Sequence, residues 1–202
     1  MRKTVRVTLP TPLAAAEEIH THLIDQLNLA LRRPGMFGGE VAFRILIDHL
    51  LFVERQPEAW AELQQGWGER GLWTSIGPTG AFRAVLPAVD CCEVASVYAE
   101  FAQRRGWLKP DRVLTGEEYE ALTGKVRQWA AVDRTWADVT AEFGPPSVLF
   151  GGNNPLYGKT LGYLTEDPQQ PMAVFHLWND SEPGAEQWPV KEVQDLTQRP
   201  CW

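Results

Sequence analysis

Along most of the chain the apolar side chains recur at helical spacing, and only after about residue 146 do they gather into short β-prone runs. Thr11 followed by Pro12 reads as an N-cap with proline at the first helical position. Ile19, Leu23, Leu27 and Leu31 then fall four apart, along one face of a helix that runs to about Arg32, where Pro34-Gly35 stops it. A second helix, Glu40 to about Arg55, is apolar almost all round (Val41, Phe43, Ile45, Leu46, Ile47, Leu50, Leu51, Phe52), as expected for the buried centre of a helical layer. Pro57 opens a third helix that ends near Gly71, and Cys91 to Arg105 forms a fourth. Residues 72–89 between them, rich in Gly and Pro, read as a loop with one helical turn around Phe82 to Leu86. Thr115 with Glu118 forms a capping box for a fifth helix ending near Val132. Thr135 with Asp138 starts a short sixth helix, closed by Gly144-Pro145-Pro146. Ahead of them all, Lys3 to Leu9 alternates through Val5, Val7 and Leu9 as a short strand.

The later runs are Ser147–Phe150, Thr160–Thr165 and Met172–Trp178, separated by turns rich in Gly, Asn, Asp and Pro. They predict an antiparallel three-stranded meander. Helices followed by segregated strands make an α+β fold in one domain of 202 residues. Its helical layer spans about 1–134, and a helix plus the meander occupies about 135–202.

Composition narrows the classes. The chain is 44% hydrophobic and 22% charged, which is globular and neither disordered nor collagen-like. No run of about 18 apolar residues is present, so no membrane partner is expected. The net charge of -7 argues against nucleic acid, whose binders carry a basic stripe. That charge is uneven: from Thr135 to Trp202 nine acids face three bases, a net -6, while the first 134 residues hold 17 acids and 16 bases. An acidic field of this kind attracts basic partners. Cys91, Cys92 and Cys201 make a poor disulfide framework, being odd in number with two adjacent, so a reducing cytoplasm is the expected compartment. Arg6, Pro10 and Pro12 interrupt the start of the chain and speak against a signal peptide.

Two segments imitate phosphate loops. Gly151 to Thr160 follows a strand and ends in Gly158-Lys159-Thr160, but Asn153 stands where the first glycine is required. Pro155 also removes an N–H, and a strand is predicted next, so a hairpin loop is the better account. The second segment is Arg32-Arg33-Pro34-Gly35-Met36-Phe37-Gly38-Gly39. It resembles a stretch of gyrase-type ATPase domains over about twenty residues. The helix that follows lacks the asparagine that would hold magnesium, and the ATPase role is not carried over. The same run between two helices also resembles a feature of small bacterial proteins, immunity proteins of toxin systems among them. That resemblance supplies no catalytic residues. Physically, Arg32 and Arg33 leading through Gly38 and Gly39 into a helix start form an anion-binding candidate, with a plain interhelical turn as the simpler reading.

Candidate chemistry beyond these loops is sparse. His20 and His22 lie two apart on a helix and cannot chelate together. Arg44 and Asp48, four apart on the apolar helix with His49 beside them, form a polar cluster expected inside apolar surroundings, joined as candidates by Lys159 and His176. No metal or cofactor site is expected. Cys91-Cys92 begins a helix without a recognisable nucleophile signature. Nine tryptophans are the compositional outlier, most expected in the core, with Trp188 and Trp202 expected near the surface. The favoured expectation is a bacterial protein-binding module, an immunity-like inhibitor that meets a basic partner through Asp180, Glu182, Glu186 and Trp188. The alternative is an enzyme or small-anion binder with a pocket between the helices and the meander.

Overall fold

Both predicted capping boxes form. Thr115 Oγ1 accepts from the Glu118 N–H at 3.2 Å while the Glu118 carboxylate accepts from the Thr115 N–H at 2.8 Å. Thr135 and Asp138 repeat the arrangement at 3.1 and 2.7 Å. Each box satisfies N–H groups that a helix start leaves without partners. The computed structural model describes residues 13–86, 91–154 and 157–177, together with the backbone of two short strands at 189–190 and 192–194. Among these residues the helices are α1 (Ala16–Arg32), α2 (Pro34–Phe37), α3 (Gly39–Val53), α4 (Ala59–Glu69), α5 (Pro78–Arg83), α6 (Cys91–Arg104), α7 (Gly116–Trp129) and α8 (Trp136–Phe143). The strands are β1 (Arg134–Thr135), β2 (Val148–Phe150), β3 (Lys159–Tyr163), β4 (Ala173–Leu177), β5 (Pro189–Val190) and β6 (Glu192–Gln194). The fold is α+β. The strand expected at Lys3–Leu9 and the cap expected at Thr11 lie outside the described residues. The described helix α1 begins instead at Ala16 with Ala15 as its N-cap, whose N–H donates to the Glu18 carboxylate at 2.7 Å.

The antiparallel meander β2-β3-β4 stands as expected, and β6 extends it beyond β4, while β5 pairs with β1. A helix after Thr160 would have signalled a phosphate loop; the chain there is strand β3. Its register sets Thr160 opposite His176 and Leu161 opposite Phe175. One face of the sheet carries Val148, Phe150 and Val174 into a core shared with α1, α3 and α6. The other carries Leu161, Tyr163 and Phe175 into a second core with α7 and α8. The sheet is therefore covered on both faces, with α7 on the side opposite the other long helices. That differs from one helical layer over residues 1–134 lying against a meander. It also explains why every residue of β3 and β4 is buried, since only a sheet covered on both sides loses its polar alternation.

The first core is built around an aromatic cluster. Trp67 stacks on Trp73 at 5.8 Å and meets Trp60 and Tyr98 edge-on at 6.4 and 4.9 Å. All six described tryptophans are buried or half-buried, as expected for core indoles; Trp178, Trp188 and Trp202 fall outside the described residues. Asn28 ties α1 to the turn after α6 through the Trp107 carbonyl at 2.8 Å and the Lys109 N–H at 2.7 Å.

Helix α3 is not the buried centre its composition implied. Phe43, Ile47, Leu50 and Leu51 are buried, but Val41, Ile45 and Phe52 are 65%, 50% and 77% exposed. Packing against α1 and α6 consumes one face, and α4 flanks α3 without covering the other. The expected Arg44–Asp48 cluster does not form either. Asp48 and His49 lie on the exposed side. Arg44 turns the other way, 3.5 Å from Glu40 and over the Trp73 ring. Glu40 is the true polar centre there, accepting from the Tyr98 hydroxyl at 3.0 Å and the Thr79 N–H at 3.2 Å.

Candidate functional site

A cleft of about 630 Å³ opens where the α1–α2 junction, the start of α6 and the β2–β3 loop converge. Its walls carry Arg33, Met36, Cys91, Asn153, Asn154 and Tyr157, with Pro34 and the backbone of Gly35, Gly151, Gly152 and Gly158 between them. Its size and mainly apolar walls with a few polar groups are those of a small-molecule site. Three stretches of sequence build it: the Arg-Arg-Pro-Gly-Met run, the Cys-Cys pair and the loop that ends in Gly-Lys-Thr. Each taken alone has an ordinary structural explanation, and the fold brings them together.

Backbone contacts fix the convergence. The Gly151 N–H donates to the Arg32 carbonyl at 3.0 Å, so the β2–β3 loop is pinned to the end of α1. The Cys92 thiol donates to the Gly158 carbonyl at 3.4 Å. A Cβ on Gly39 would sit 2.6 Å from the Cys91 sulfur, and one on Gly151 would sit 2.7 Å from the Cys92 sulfur. Each thiol thus occupies the space that a glycine leaves, one on each wall.

Lys159 stands directly behind the loop. Its ammonium donates to the Gly152 carbonyl at 3.1 Å and the Asn154 carbonyl at 2.8 Å, and it lies over the Trp136 ring. The side chain is 1% exposed, and burial pushes its pKa below the ordinary lysine value. No carboxylate forms an ion pair with it among the described residues. His176 is fully buried two strand positions from the loop, and burial lowers it to about 3, so it is neutral at physiological pH. It does not line the cleft.

The sequence candidates therefore separate. Of the two arginines, Arg32 is tied to Asp111 at 2.7 and 3.1 Å and to the Lys109 carbonyl, and only Arg33 reaches the cleft. Gly38 supplies the left-handed cap of α2 and Gly39 makes room for Cys91, but neither lines the cleft. Arg44, Asp48 and His49 belong to α3 and take no part. Asp180, Glu182, Glu186 and Trp188 lie outside the described residues. Sequence reasoning missed Met36, Asn153 and Tyr157 as lining groups because each sits in a segment read as a plain turn.

Among the described residues no three His, Cys, Asp or Glu side chains assemble into a metal cage. None of the described helices is long and apolar enough to cross a membrane. No known protein family, curated protein or solved structure matches the chain.

Proposed function

We propose that this protein binds a small organic ligand in the cleft between α2, α6 and the β2–β3 loop. The observation that carries the reading is the convergence of two glycine-rich turns and a pair of thiols on one cavity of about 630 Å³. Among the described residues the lining contains no His, Asp, Glu or Lys side chain. The titratable groups on the lining are Arg33, the two thiols and the Tyr157 hydroxyl, a set that supports ligand binding as the first reading. The test is a ligand-observed NMR screen of small organic compounds, charged and neutral alike, on the wild type and on Gly35→Trp. Gly35 lines the cleft and a Cβ there meets nothing within 4 Å, so the substitution adds bulk at the cleft wall without a clash at its first carbon. Hits lost in Gly35→Trp support the proposal. Hits retained, or none at all, count against it.

A second reading rests on charge. The last third of the chain carries a net -6, and an acidic, tryptophan-bearing segment suits a basic protein partner of the kind that immunity proteins meet. Charge-steered association falls as salt shortens the Debye length below about 10 Å. Reversing Asp180, Glu182 and Glu186 together is expected to slow association, and removing Trp188 to speed dissociation. Salt-independent association that the triple reversal leaves unchanged counts against this reading.

A further inference from the structure

We infer that the cleft is built for an organic anion, with Arg33 as its direct cationic contact and Lys159 as the buried charge that aims a backbone donor into it. The inference rests on the cleft being a ligand site and names the class of ligand. Three observations carry it. First, among the described residues Arg33 is the only charged side chain on the lining, and no ion pair to a carboxylate engages it. Second, a buried ammonium normally needs a carboxylate. Lys159 has instead two loop carbonyls, a thiol and an indole around it. Among the described residues no carboxylate pairs with it, and an anion in the cleft supplies a countercharge across the Gly152–Asn153 peptide.

Third, the peptide geometry gives that charge a direction. The Gly152 carbonyl points at the Lys159 ammonium. In a trans peptide the N–H lies antiparallel to the C=O, so the Asn153 N–H points away from Lys159. Gly152 and Asn153 line the cleft while Lys159 does not, which makes that away side the ligand side. Gly152 holds this arrangement at a φ of +70°, a conformation open to glycine. In this proposal the Asn153 N–H is the polarised backbone donor and Arg33 the cationic contact, with Pro34 and Met36 left for an apolar body. Lys159 acts through the loop and is a positioning residue.

Cys91 is an exposed thiol in the cleft lining and supplies the probe. Iodoacetate and iodoacetamide alkylate a thiolate by the same displacement: sulfur bonds to the methylene carbon as iodide leaves. Both draw on the same thiolate fraction, so the ratio of their rates isolates the charge of the reagent. Peptide mapping of the intact protein is expected to give a ratio at Cys91 about fivefold above that of N-acetylcysteine, the size of one charge interaction at about 4 Å in water. Arg33→Gln should remove at least half of the excess. Lys159→Met should also reduce it, and Lys159→Arg should restore it. Arg33 is exposed, so its variant remains informative if Lys159→Met fails to fold. A ratio at or below that of N-acetylcysteine, or an excess that survives Arg33→Gln, overturns the inference. Protection of Cys91 by paired carboxylates and carboxamides distinguishes the two levels. Equal protection by both members leaves the binding cleft standing and removes its anion preference. Protection by neither removes both.

Discussion

The hydroxyl of Thr160 and Nδ1 of His176 lie 2.9 Å apart across the β3–β4 pair, in a core with no solvent contact. Phe82 meets the imidazole edge-on at 5.5 Å, and Nε2 has no partner among the described residues. Burial alone holds the ring near a pKa of about 3, below the ordinary value of 6.5. Below pH 6.5 the unfolded chain binds a proton at this position and the folded chain does not. Stability should therefore fall on acidification, by about 1.4 kcal/mol per pH unit from this group, until the pH reaches the folded value. His176→Gln should flatten the curve of unfolding free energy against pH by about that slope between pH 6 and 4. Curves of equal slope for the two proteins would show that His176 is accessible to protons in the folded state.

A second relationship joins three elements at one carboxylate. Glu54, at the end of α3, accepts from Trp107 Nε1 at 2.7 Å, from Arg105 and from Nε2 of His20, which lies 2.9 Å away on α1. Burial works against ionisation here, but the three hydrogen bonds outweigh it and hold the carboxyl below its ordinary pKa. Its stabilisation is accordingly complete above pH 4.5 and lost as the pH falls through the lowered value. Glu54→Gln, measured by urea denaturation, should cost about 2 kcal/mol at pH 7, since charged hydrogen bonds of this kind contribute that much. The difference between the two proteins should narrow below pH 4.5. A constant difference across that range would mean that packing, and not charge, carries the site.

The boundaries set by local chemistry were readable in the sequence. Thr115 with Glu118, Thr135 with Asp138 and the glycine at 144 each act within four residues, so spacing alone locates them. Contacts between distant segments were not readable. Arg32 and Arg33 are adjacent and chemically alike, yet Asp111, 79 residues further on, ties up Arg32 and leaves Arg33 for the cleft. Helix α3 misled for a related reason. Its composition reports what it can bury, and the number of neighbours decides what it does bury. The side of the sheet that α7 takes was also hidden, although the unbroken burial of Leu161, Gly162 and Tyr163 follows from it. The cleft was legible only in pieces, because its walls are contributed by residues 33–36, 91–92, 151–154 and 157–158.

Exposed and buried carboxylates should respond in opposite ways to the same substitution. Asp48 lies exposed on α3, and Asp48→Ala should change stability by less than about 0.5 kcal/mol. The Glu100 side chain is 4% exposed and holds both Arg70, at 3.0 Å, and Arg104. Glu100→Ala strands two guanidinium groups and should cost about 3 kcal/mol. Thermal or urea midpoints of the two variants check the pair together. A large loss at Asp48 would place α3 in a covered environment. A negligible loss at Glu100 would mean that the two arginines find solvent without it.

Gly151 offers the sharpest test of the cleft wall. Its φ of +101° is a conformation that a side chain resists, and a Cβ there meets the Cys92 sulfur at 2.7 Å and the Gly158 carbonyl at 2.8 Å. Neither neighbour can retreat easily: Cys92 is buried at the start of α6, and Gly158 leads directly into β3. Backbone strain and overpacking each cost about 1–3 kcal/mol in such positions, so Gly151→Ala should lose about 3 kcal/mol. The loop is pinned to α1 through the Gly151 N–H, and the same substitution should loosen the wall and weaken any ligand found in the cleft. Gly124, within α7, is the control. A Cβ there meets nothing within 4 Å, and Gly124→Ala should gain about 0.5–1 kcal/mol by restricting the unfolded chain. Urea midpoints that rise for Gly124→Ala and fall for Gly151→Ala would place the strain at the loop. Equal tolerance at both positions would show that the β2–β3 loop adopts another conformation, and the cleft as described would not exist.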